Sequence, residues 1–371
     1  MKAKLMRILE LNFERTWRGG ERQTLYNSQG FIDAGIKVDV LCRENFPLEQ
    51  KAKEQGIPTV AFKNVFGAIW FLMTKGRKYD VLHAQTSHIL TYCIVTKPFH
   101  RAKVVFTRRI DFVPKGRMTR LKYKLSDHVV AISKAIQQIV TNFGVKNVVH
   151  ISSAIVPKKL DIDRARDVVR EMNLPPRTKI IATTSAIVGH KDPLMMVAAI
   201  NELAKLRNDF VFLHFGKGDM QDVVREKLEE LGLQGIYKIM GFHDKVEDFF
   251  SVMKVFAMSS SQEGLGSSVL DAFIYKVPVV STDAGGLKDL VGENRGMMSS
   301  VGDAKALARN MNTLLDNPEM GEKMAARAYQ FAATQHNIQH ITQQYLTLLN
   351  VPFKQNITTH KHPIGKLPVE V

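Results

Sequence analysis

The chain has 371 residues, 45% of them apolar and 24% charged, which are ordinary values for a globular protein of two domains. Its two cysteines, Cys42 and Cys93, have no metal-ligand spacing, which excludes a disulfide framework and a cysteine-based zinc site. The net charge of +16 is unevenly distributed. Residues 1–160 hold 28 Lys and Arg against 11 Asp and Glu, whereas residues 161–371 hold 24 against 25.

The sequence has no pattern typical of a signal peptide or of a membrane span. Its amino terminus, MKAKLMRILELN, contains basic residues without a long apolar run after them. The longest apolar stretch, over 65–73, is too short to cross a bilayer. We therefore expect the protein in the cytoplasm, either free or bound peripherally to the inner face of the cytoplasmic membrane.

Short apolar runs alternate with helical patterns in both halves of the chain. In the first half, strands are predicted over 5–11, 37–42, 81–83, 104–107 and 128–131, with helices over 21–34 and from Ser133 onward. In the second half, strands are predicted over 180–184, 211–215, 237–240, 255–258 and 279–281, with helices over 193–206, 220–231, 267–275 and within 304–350. This alternation predicts an α/β protein with two Rossmann-like, doubly wound parallel-sheet domains that face each other across a cleft.

A charged stretch that contains prolines separates the two series. We expect an N-terminal domain over 1–160, a linker over 161–178 and a C-terminal domain over 179–335. A helix over 336–350 is expected to return to the N-terminal domain, and 351–371 to form a loosely ordered tail. Because ligands bind beyond the carboxyl ends of parallel strands, the loops after the strands are the candidate sites.

The loop after the predicted strand 255–258 has the strongest chemical signature. Glu263 precedes a glycine-containing turn that opens a helix, with Ser267 and Ser268 in its first turn. The free N–H groups of a helix N-terminus, together with these hydroxyls, can hold a diphosphate. Asp271, eight residues after Glu263, is far enough along the helix to reach another part of the same ligand. This pattern suits a ligand with hydroxyl groups at both ends, such as a nucleotide-sugar.

Three further turns lie between a predicted strand and a predicted helix. They are WRGGE over 17–21, GHKDP over 189–193 with Lys191 at its centre, and FGKGD over 215–219. Glycines at such junctions let the backbone approach a ligand closely, and Lys191 can neutralise a phosphate. The third turn lacks the last glycine of a dinucleotide fingerprint, since position 221 is Gln, so an NAD site is rejected.

Together these segments resemble glycosyltransferase family 4, which has the GT-B fold. The resemblance runs from about residue 5 to 349 and follows the family's order of motifs. The matching segments are the glycine turn 19–21, the strand and Ser cap 127–133, the lysine loop 189–193, the turns 216–219 and 241–242, and the block 260–286. That last block is the most specific, because it contains the Glu-x7-acid motif followed by Pro-Val-Val and Gly-Gly.

The resemblance implies a retaining transfer of a sugar from a nucleotide-sugar, with a UDP-sugar favoured, to an acceptor held by the N-terminal domain. Glu263 and Lys191 are implied as catalytic residues, with no cofactor and no metal. Glu263 would contact the transferred sugar, and Asp271 the ribose. The residues implied to bind the donor are Gly19, Gly20, Gly216, Gly218, Gly241, Phe242, Gly264, Leu265, Gly266, Ser267, Ser268 and Asp271.

Three positions depart from the family pattern. Asp271 replaces a glutamate, and Ala186 stands where an arginine is usual before the lysine, so another cation must share the phosphate charge. The candidates for that role, or for acceptor contacts, are Arg18, Arg108 and Arg109. Arg108 and Arg109 also replace a histidine that is often present there, which leaves His83 and His88 as reserve candidates for a base. His83 is also a candidate for a phosphate or acceptor contact.

The basic N-terminal half predicts an anionic partner. Residues 97–124 hold ten Lys and Arg against one acid, Asp111. Such a segment attracts an anionic membrane surface or an anionic acceptor, for example a glycolipid, a lipopolysaccharide or another cell-envelope polysaccharide precursor. A solvated basic face without a partner remains an open alternative.

Two other functions are alternatives to glycosyl transfer. A sugar-nucleotide epimerase of GT-B fold would use the same donor without an acceptor. The second is a basic nucleic-acid-binding protein, which the pI of about 9.7 would suit. The sequence contains no recognisable nucleic-acid-binding motif, so no nucleic-acid partner is expected. The Asp-x-Asp sequence at 161–163 lies in the predicted linker and is read as chance rather than as a metal site.

Overall fold

The first half of the chain forms a seven-stranded parallel sheet in the computed structural model, which describes residues 5–352. Its strands are β1 (Arg7–Leu11), β2 (Lys37–Arg43), β3 (Thr59–Phe62), β4 (Val81–Ala84), β5 (Lys103–Arg108), β6 (His128–Ala131) and β7 (Val148–His150). They are ordered β3-β2-β1-β4-β5-β6-β7, with all neighbours parallel. The order reverses between β1 and β4, the point at which doubly wound sheets bind ligands.

Helices cover both faces of this sheet. They are α1 (Gly19–Asp33), α2 (Pro47–Glu54), α3 (Val65–Lys75), α4 (Ser87–Val95), α5 (Lys97–His100), α6 (Arg117–Leu125) and α7 (Lys134–Asn142), with a 3-10 turn over Gly76–Lys78. Leu72 of α3, Leu90 of α4 and Tyr123 of α6 pack in one buried apolar cluster, whereas Phe31 of α1 belongs to another. Helices α3 to α6 therefore form a layer on one side of the sheet.

The second half repeats this arrangement with six parallel strands. They are β8 (Lys179–Thr184), β9 (Phe210–Phe215), β10 (Tyr237–Gly241), β11 (Val255–Met258), β12 (Val279–Thr282) and β13 (Met297–Ser299), ordered β10-β9-β8-β11-β12-β13. Helices α8 (Ile162–Glu171), α9 (Pro193–Ala204), α10 (Gln221–Glu230), α11 (Ser267–Ile274), α12 (Leu287–Val291), α13 (Ala304–Asp316), α14 (Pro318–Gln335) and α15 (Ile338–Leu348) follow, with 3-10 turns over Gly189–Lys191 and Val246–Ser251. The strand order reverses between β8 and β11, as it does between β1 and β4.

The last helix lies on the N-terminal sheet rather than on the C-terminal one. Tyr345 of α15 packs its ring edge-on against Phe31, with ring centroids 5.8 Å apart. Its hydroxyl is 3.0 Å from the Thr107 hydroxyl at the end of β5. Just before α15, the Ile155 N–H donates to the His336 carbonyl at 2.7 Å. The chain therefore crosses between the two sheets twice.

The predicted α/β fold with two parallel doubly wound sheets is confirmed. Helices α2 to α6 were not predicted, and among the strands the differences lie at the sheet edges. Strands β3, β7 and β13 were not predicted, and each is a short edge strand of three or four residues. Such segments carry too few alternating or apolar residues to signal a strand. The predicted tail over 351–371 falls almost wholly outside the described residues.

Candidate functional site

The loops after β1, β5, β8 and β11 meet where the carboxyl ends of the two sheets face each other. Gly19, at the start of α1, lies so close to Ser267, at the start of α11, that a Cβ on Gly19 would be 3.2 Å from the Ser267 hydroxyl oxygen. A Cβ on Gly264 would be 2.2 Å from the Arg109 carbonyl oxygen. Both contacts join the two domains. The cleft is therefore closed here, and glycine at position 264 is required by the close approach of the opposite backbone.

Glu263 and Lys191 form an ion pair at this junction. Their side chains are largely buried, with relative exposures of 11% for Glu263 and 18% for Lys191. The Ser260 hydroxyl donates to the Glu263 carboxylate at 3.5 Å, and the Gly286 N–H donates to the Glu263 carbonyl at 2.8 Å. The structure thus brings the two residues predicted as catalytic into direct contact at the domain junction.

Hydrogen bonds fasten the loop of Lys191 to the loop of Glu263. The N–H groups of Ser261 and Gln262 donate to the His190 carbonyl at 3.0 and 3.2 Å. The Ser259 hydroxyl donates to the Lys191 carbonyl at 3.1 Å. Desolvation lowers the pKa of His190, and the positive charge of Lys191 lowers it further. The two loops therefore form one hydrogen-bonded unit with a cation and a carboxylate at its surface.

Helix α11 begins directly after this unit. Gly266 has a φ of 96°, and a Cβ there would be 2.6 Å from Leu287, so a side chain would be both strained and obstructed. Ser267 follows as the first helical residue and faces Gly19 across the junction. The first N–H groups of a helix have no partner within the helix. The positive end of the α11 dipole is therefore at the closed part of the cleft.

Asp271, predicted to contact the ribose of a donor, is paired in this structure with an arginine of the N-terminal domain. The Arg22 Nη1 and Nη2 atoms donate to the two Asp271 carboxylate oxygens at 3.1 and 3.0 Å. Burial raises the pKa of the Asp271 carboxyl, and the Arg22 guanidinium acts in the opposite direction. Arg22 was missed as a site residue. Its signal in the sequence is its position three residues after Gly19, on the same side of a helix that begins at the glycine turn.

The three arginines predicted to share the phosphate charge have separate positions. The Arg108 side chain turns inward, and its Nη1 donates to the Tyr123 hydroxyl at 2.6 Å. The Arg109 guanidinium donates to Gln85 at 2.8 Å. The part of Arg109 that faces Gly264 across the cleft is its backbone carbonyl. Arg18 is exposed just before α1. Of these three arginines, only Arg18 therefore has a guanidinium that is open to solvent.

His83 lies below the cleft in a buried polar network. Its Nδ1 is 2.7 Å from the Glu10 carboxylate and its Nε2 is 2.7 Å from the Thr107 hydroxyl, which in turn contacts Tyr345. The histidine is 1% exposed. Both ring nitrogens thus have protein partners, an arrangement that orients β1, β4 and β5 rather than a substrate. His88 is exposed on α4.

Two glycines predicted to bind the donor have a packing role within the C-terminal domain. A Cβ on Gly216 would lie 1.9 Å from the Ser185 carbonyl oxygen, and one on Gly218 would lie 2.0 Å from the Ile187 carbonyl oxygen. These contacts hold the loop after β9 against the loop after β8. Glycine at both positions is therefore explained by loop packing alone, whether or not a ligand binds there.

The remaining predicted donor residues are spread around the cleft. Gly241 ends β10 with a φ of 75°, and Phe242 after it is 57% exposed. The Ser268 hydroxyl donates to the Thr184 carbonyl at 2.8 Å, and Leu265 is buried. Gly20 adjoins the Arg109 side chain, to which a Cβ would be 3.8 Å. An exposed aromatic ring at the edge of a cleft is a surface on which a flat base can stack.

Among residues 5–352 no group of three or more His, Cys, Asp and Glu is placed to hold a metal ion. Within the same range, no helix has the length and apolar character that crossing a membrane requires.

Two sequence families match the chain, one for each sheet. The family described as Glycosyltransferase Family 4 matches residues 17–158, and the family described as Glycosyl transferases group 1 matches residues 166–331. The chain belongs to the family 4 glycosyltransferases. In this glycosyltransferase the first match contains Gly19 and Arg22, and the second contains Lys191, Glu263 and Asp271. The resemblance inferred from the motifs is confirmed.

Curated relatives share modest identity with this glycosyltransferase. It is 28% identical over 238 residues to the lipopolysaccharide core biosynthesis glycosyltransferase LpsE of Rhizobium meliloti (strain 1021). The aligned region covers 62% of this chain and 66% of the relative. It is 30% identical over 175 residues to a 2-deoxystreptamine glucosyltransferase of Streptomyces kanamyceticus, covering 44% of this chain and 45% of the relative. The matches thus span less than two thirds of these relatives.

Solved structures show the same fold over nearly the whole chain. The crystal structure of Anabaena HepE in complex with UDP and glucose has a TM-score of 0.81 at 19% identity, and covers 93% of this chain and 99% of that one. Staphylococcus aureus TarM has a TM-score of 0.77 at 14% identity, covering 94% of this chain and 99% of that one. These likenesses establish the GT-B arrangement of the two domains.

Proposed function

We propose that the protein is a retaining glycosyltransferase that moves a sugar from a UDP-sugar to an anionic glycolipid or to a precursor of lipopolysaccharide or another cell-envelope polysaccharide. The observation that carries the proposal is the Glu263–Lys191 pair, which lies at the closed domain junction beside the N-terminus of α11. A carboxylate, an ammonium group and free backbone N–H groups in one cleft match the sugar and the diphosphate of such a donor.

Each group has a part in the proposed reaction. The first N–H groups of α11 and the Lys191 ammonium bind the diphosphate, and their interaction strengthens as the sugar–oxygen bond breaks and negative charge develops on the leaving phosphate. The acceptor hydroxyl oxygen bonds to the same sugar carbon from the same face, and its proton passes to the leaving phosphate. Glu263 is released from Lys191 and accepts hydrogen bonds from hydroxyls of the transferred sugar. Because Lys191 and the backbone supply positive charge, the mechanism that we propose needs no metal and no cofactor.

The choice of donor and acceptor draws on the relatives. UDP and glucose are the molecules bound by Anabaena HepE, which shares the fold. LpsE and the mannosyltransferase LpsB of Rhizobium meliloti (strain 1021) both act in lipopolysaccharide core biosynthesis, and LpsB is 24% identical over 76% of this chain. A basic N-terminal domain suits an acceptor that carries phosphate or carboxylate groups.

Binding and turnover test the donor assignment directly. A thermal-shift screen against UDP- and GDP-sugars is expected to show stabilisation by UDP-sugars, since a ligand that binds the folded state raises its melting temperature. A Glu263→Ala variant is expected to keep its fold and much of its UDP affinity while losing transfer. Glu226→Ala, an exposed glutamate of α10, is the matched control and should transfer normally. Normal turnover in Glu263→Ala would contradict the role of that residue.

An anionic membrane surface is the partner that we propose for the helical layer α3 to α6. Exposed apolar side chains occur there at helical spacing, with Phe66 and Trp70 on α3 and Met118, Leu121 and Leu125 on α6. Trp70 is 67% exposed and Met118 75%. Large apolar side chains on the outer face of a basic helix favour insertion at the interface of a bilayer.

The charges of the same layer support this partner. Residues 59–125 hold 14 Lys and Arg against two acids, Asp80 and Asp111. Arg108 and Lys122 point inward to Tyr123 and Ser87, so they contribute less to the surface than the sequence suggests. The exposed cations of α6, which are Arg117, Arg120 and Lys124, remain available to lipid headgroups. The proposed position is therefore peripheral, on the inner face of the cytoplasmic membrane.

Liposome co-sedimentation tests this surface. The wild type is expected to bind vesicles with anionic lipid and to leave neutral vesicles unbound. A variant with Arg117, Arg120 and Lys124 changed to Ser should lose most of this binding, because each cation near the surface contributes about 1 kcal/mol. The control changes Lys305, Lys323 and Arg327, three exposed cations of the C-terminal domain, to Ser. Equal binding to neutral and anionic vesicles would contradict the proposal, and salt-sensitive DNA binding would favour a nucleic-acid partner instead.

A further inference from the structure

The first turns of α1 and α11 lie side by side across the domain junction. Gly19 and Arg22, three residues apart on α1, contact Ser267 and Asp271, four residues apart on α11. Residues at these spacings share one face of a helix. The Arg22 guanidinium is therefore about one helical turn, or 5.4 Å, from the N-terminus of α11, measured along that helix.

The charges at the junction are balanced before any ligand enters. Lys191 is paired with Glu263, and Arg22 with Asp271. A nucleotide diphosphate brings negative charge to the N-terminus of α11. Of the Lys191–Glu263 pair, only Lys191 is a cation that can neutralise this charge. Arg22 is the cation on the opposite side of the junction, and its fork of N–H groups fits a phosphate as well as it fits a carboxylate.

We propose that Arg22 is a donor-binding residue, which leaves Asp271 when a nucleotide diphosphate binds and turns to its phosphates, so that Asp271 is freed for the ribose. This inference rests on the proposed function, since it requires a nucleotide-sugar in the cleft. In the resting arrangement Arg22 protects the buried Asp271 carboxylate from being left without a partner.

Three features of Arg22 and Asp271 favour this exchange. Both oxygens of Asp271 are occupied by Arg22, so ribose hydroxyls gain full access to them only when the guanidinium moves. The Arg22 Nε is buried without a hydrogen-bond partner, so the present pair leaves one of its donors unused. The guanidinium also lies 6.0 Å from the Tyr26 ring centroid, a cation–π contact that does not depend on Asp271. Exchanging one charge-assisted pair for another costs little net free energy.

Comparison of UDP with uridine separates this role from a purely structural one. Arg22→Met is expected to weaken UDP binding about tenfold, because one charge-assisted interaction with phosphate is lost. Uridine, which has the ribose and base without phosphates, should bind Arg22→Met as well as or better than the wild type, because Asp271 is then free. UDP is measured by calorimetry and uridine by ligand-observed NMR. Arg15→Met, which changes an exposed arginine of the loop just before α1, is the control and should match the wild type.

Two more variants make the outcome decisive. Asp271→Asn is expected to weaken UDP and uridine alike, since both contain the ribose. Arg22→Lys keeps the charge without the fork and should recover part of the UDP affinity, which also guards against a folding defect in Arg22→Met. The inference is overturned if Arg22→Met binds UDP like the wild type, or if it weakens UDP and uridine equally. A wild type that binds neither molecule would contradict the proposed function itself.

Discussion

The two domains share one strand order and differ in what their loops and faces expose. In the C-terminal domain, hydrogen bonds tie the loops of Lys191 and Glu263 into one unit, and glycines 216 and 218 pack the adjacent loops backbone to backbone. In the N-terminal domain the outer helices expose apolar and basic side chains, and the excess positive charge of the whole chain lies there. The same sheet topology therefore carries the proposed donor site in one half and the proposed membrane-facing surface in the other.

The comparison also shows that the proposed site is incomplete in either half alone. The C-terminal domain supplies the pair of Lys191 and Glu263 and the helix N-terminus. The N-terminal domain supplies Gly19, Arg22 and the backbone carbonyl of Arg109. Contacts from both sides meet only when the domains are closed, so closure is expected to control turnover more than donor affinity.

The largest effect is expected from obstructing that closure. Gly264→Ala places a methyl carbon 2.2 Å from the Arg109 carbonyl oxygen, so close that the two domains must move apart. Turnover should fall by about 100-fold, because a displacement of about 1 Å in a catalytic site has that consequence. UDP binding should change less, because the donor loop itself belongs to the C-terminal domain. Steady-state kinetics and calorimetry measure the two quantities.

Gly235→Ala is the matched control, because a Cβ on Gly235 meets no atom within 4 Å. It should retain wild-type turnover. If Gly264→Ala were as active as this control, domain closure at the Arg109 contact would not be required for the reaction.

Acid should destabilise each domain through one buried histidine. His214, whose Nδ1 is 2.6 Å from the Tyr237 hydroxyl, has its pKa lowered by burial from 6.5 to about 4. Burial lowers the pKa of His336, at the contact with Ser153 of the N-terminal domain, to the same value. Between pH 6.5 and 4 the unfolded chain binds more protons, so the free energy of unfolding should fall as the pH falls, by about 1.4 kcal/mol per pH unit for each histidine.

Urea unfolding at several pH values checks this expectation. The His214→Gln and His336→Gln variants should each show a pH dependence smaller by one proton than that of the wild type. Stability that is independent of pH between 6.5 and 4 would show that neither histidine is kept neutral by burial.

A smaller effect is expected where the last helix returns to the N-terminal domain. Tyr345→Phe removes the hydroxyl that is 3.0 Å from Thr107 and leaves the ring against Phe31. The free energy of unfolding should fall by about 1 kcal/mol, the usual net contribution of one hydrogen bond. Thermal or urea unfolding gives the value, and an unchanged stability would mean that this hydroxyl contributes nothing to the docking of α15.

Local sequence patterns were sufficient to predict the central strands and the glycine turns that precede helices. Buried strands such as β5, β8 and β11 read as apolar runs, and glycines followed by a helix pattern identify the turns at residues 19–20 and 264–266. These features depend on residues that are adjacent in the chain, so their spacing carries the information. The edge strands β3, β7 and β13 are too short for their residue pattern to indicate a strand.

Contacts between the domains could not be predicted in the same way. Arg22 and Asp271 are 249 positions apart, and nothing local to either residue indicates the other.

The directions of side chains at strand ends were equally hidden. Arg108 and Arg109 looked equivalent in the sequence, yet one guanidinium turns to Tyr123 and the other to Gln85. Side-chain direction at the end of a strand depends on the surrounding packing, which the order of residues does not reveal.

The central claim is that the loop beginning at Glu263 and the N-terminus of α11 bind the diphosphate of a nucleotide-sugar between the domains. A crystal structure of the protein with UDP tests it most directly. We expect phosphate oxygens within about 3.2 Å of the first backbone N–H groups of α11, the usual limit for an N–H···O hydrogen bond, with the Lys191 ammonium beside them. A nucleotide bound elsewhere, with the Glu263–Lys191 pair and α11 untouched, would contradict the account.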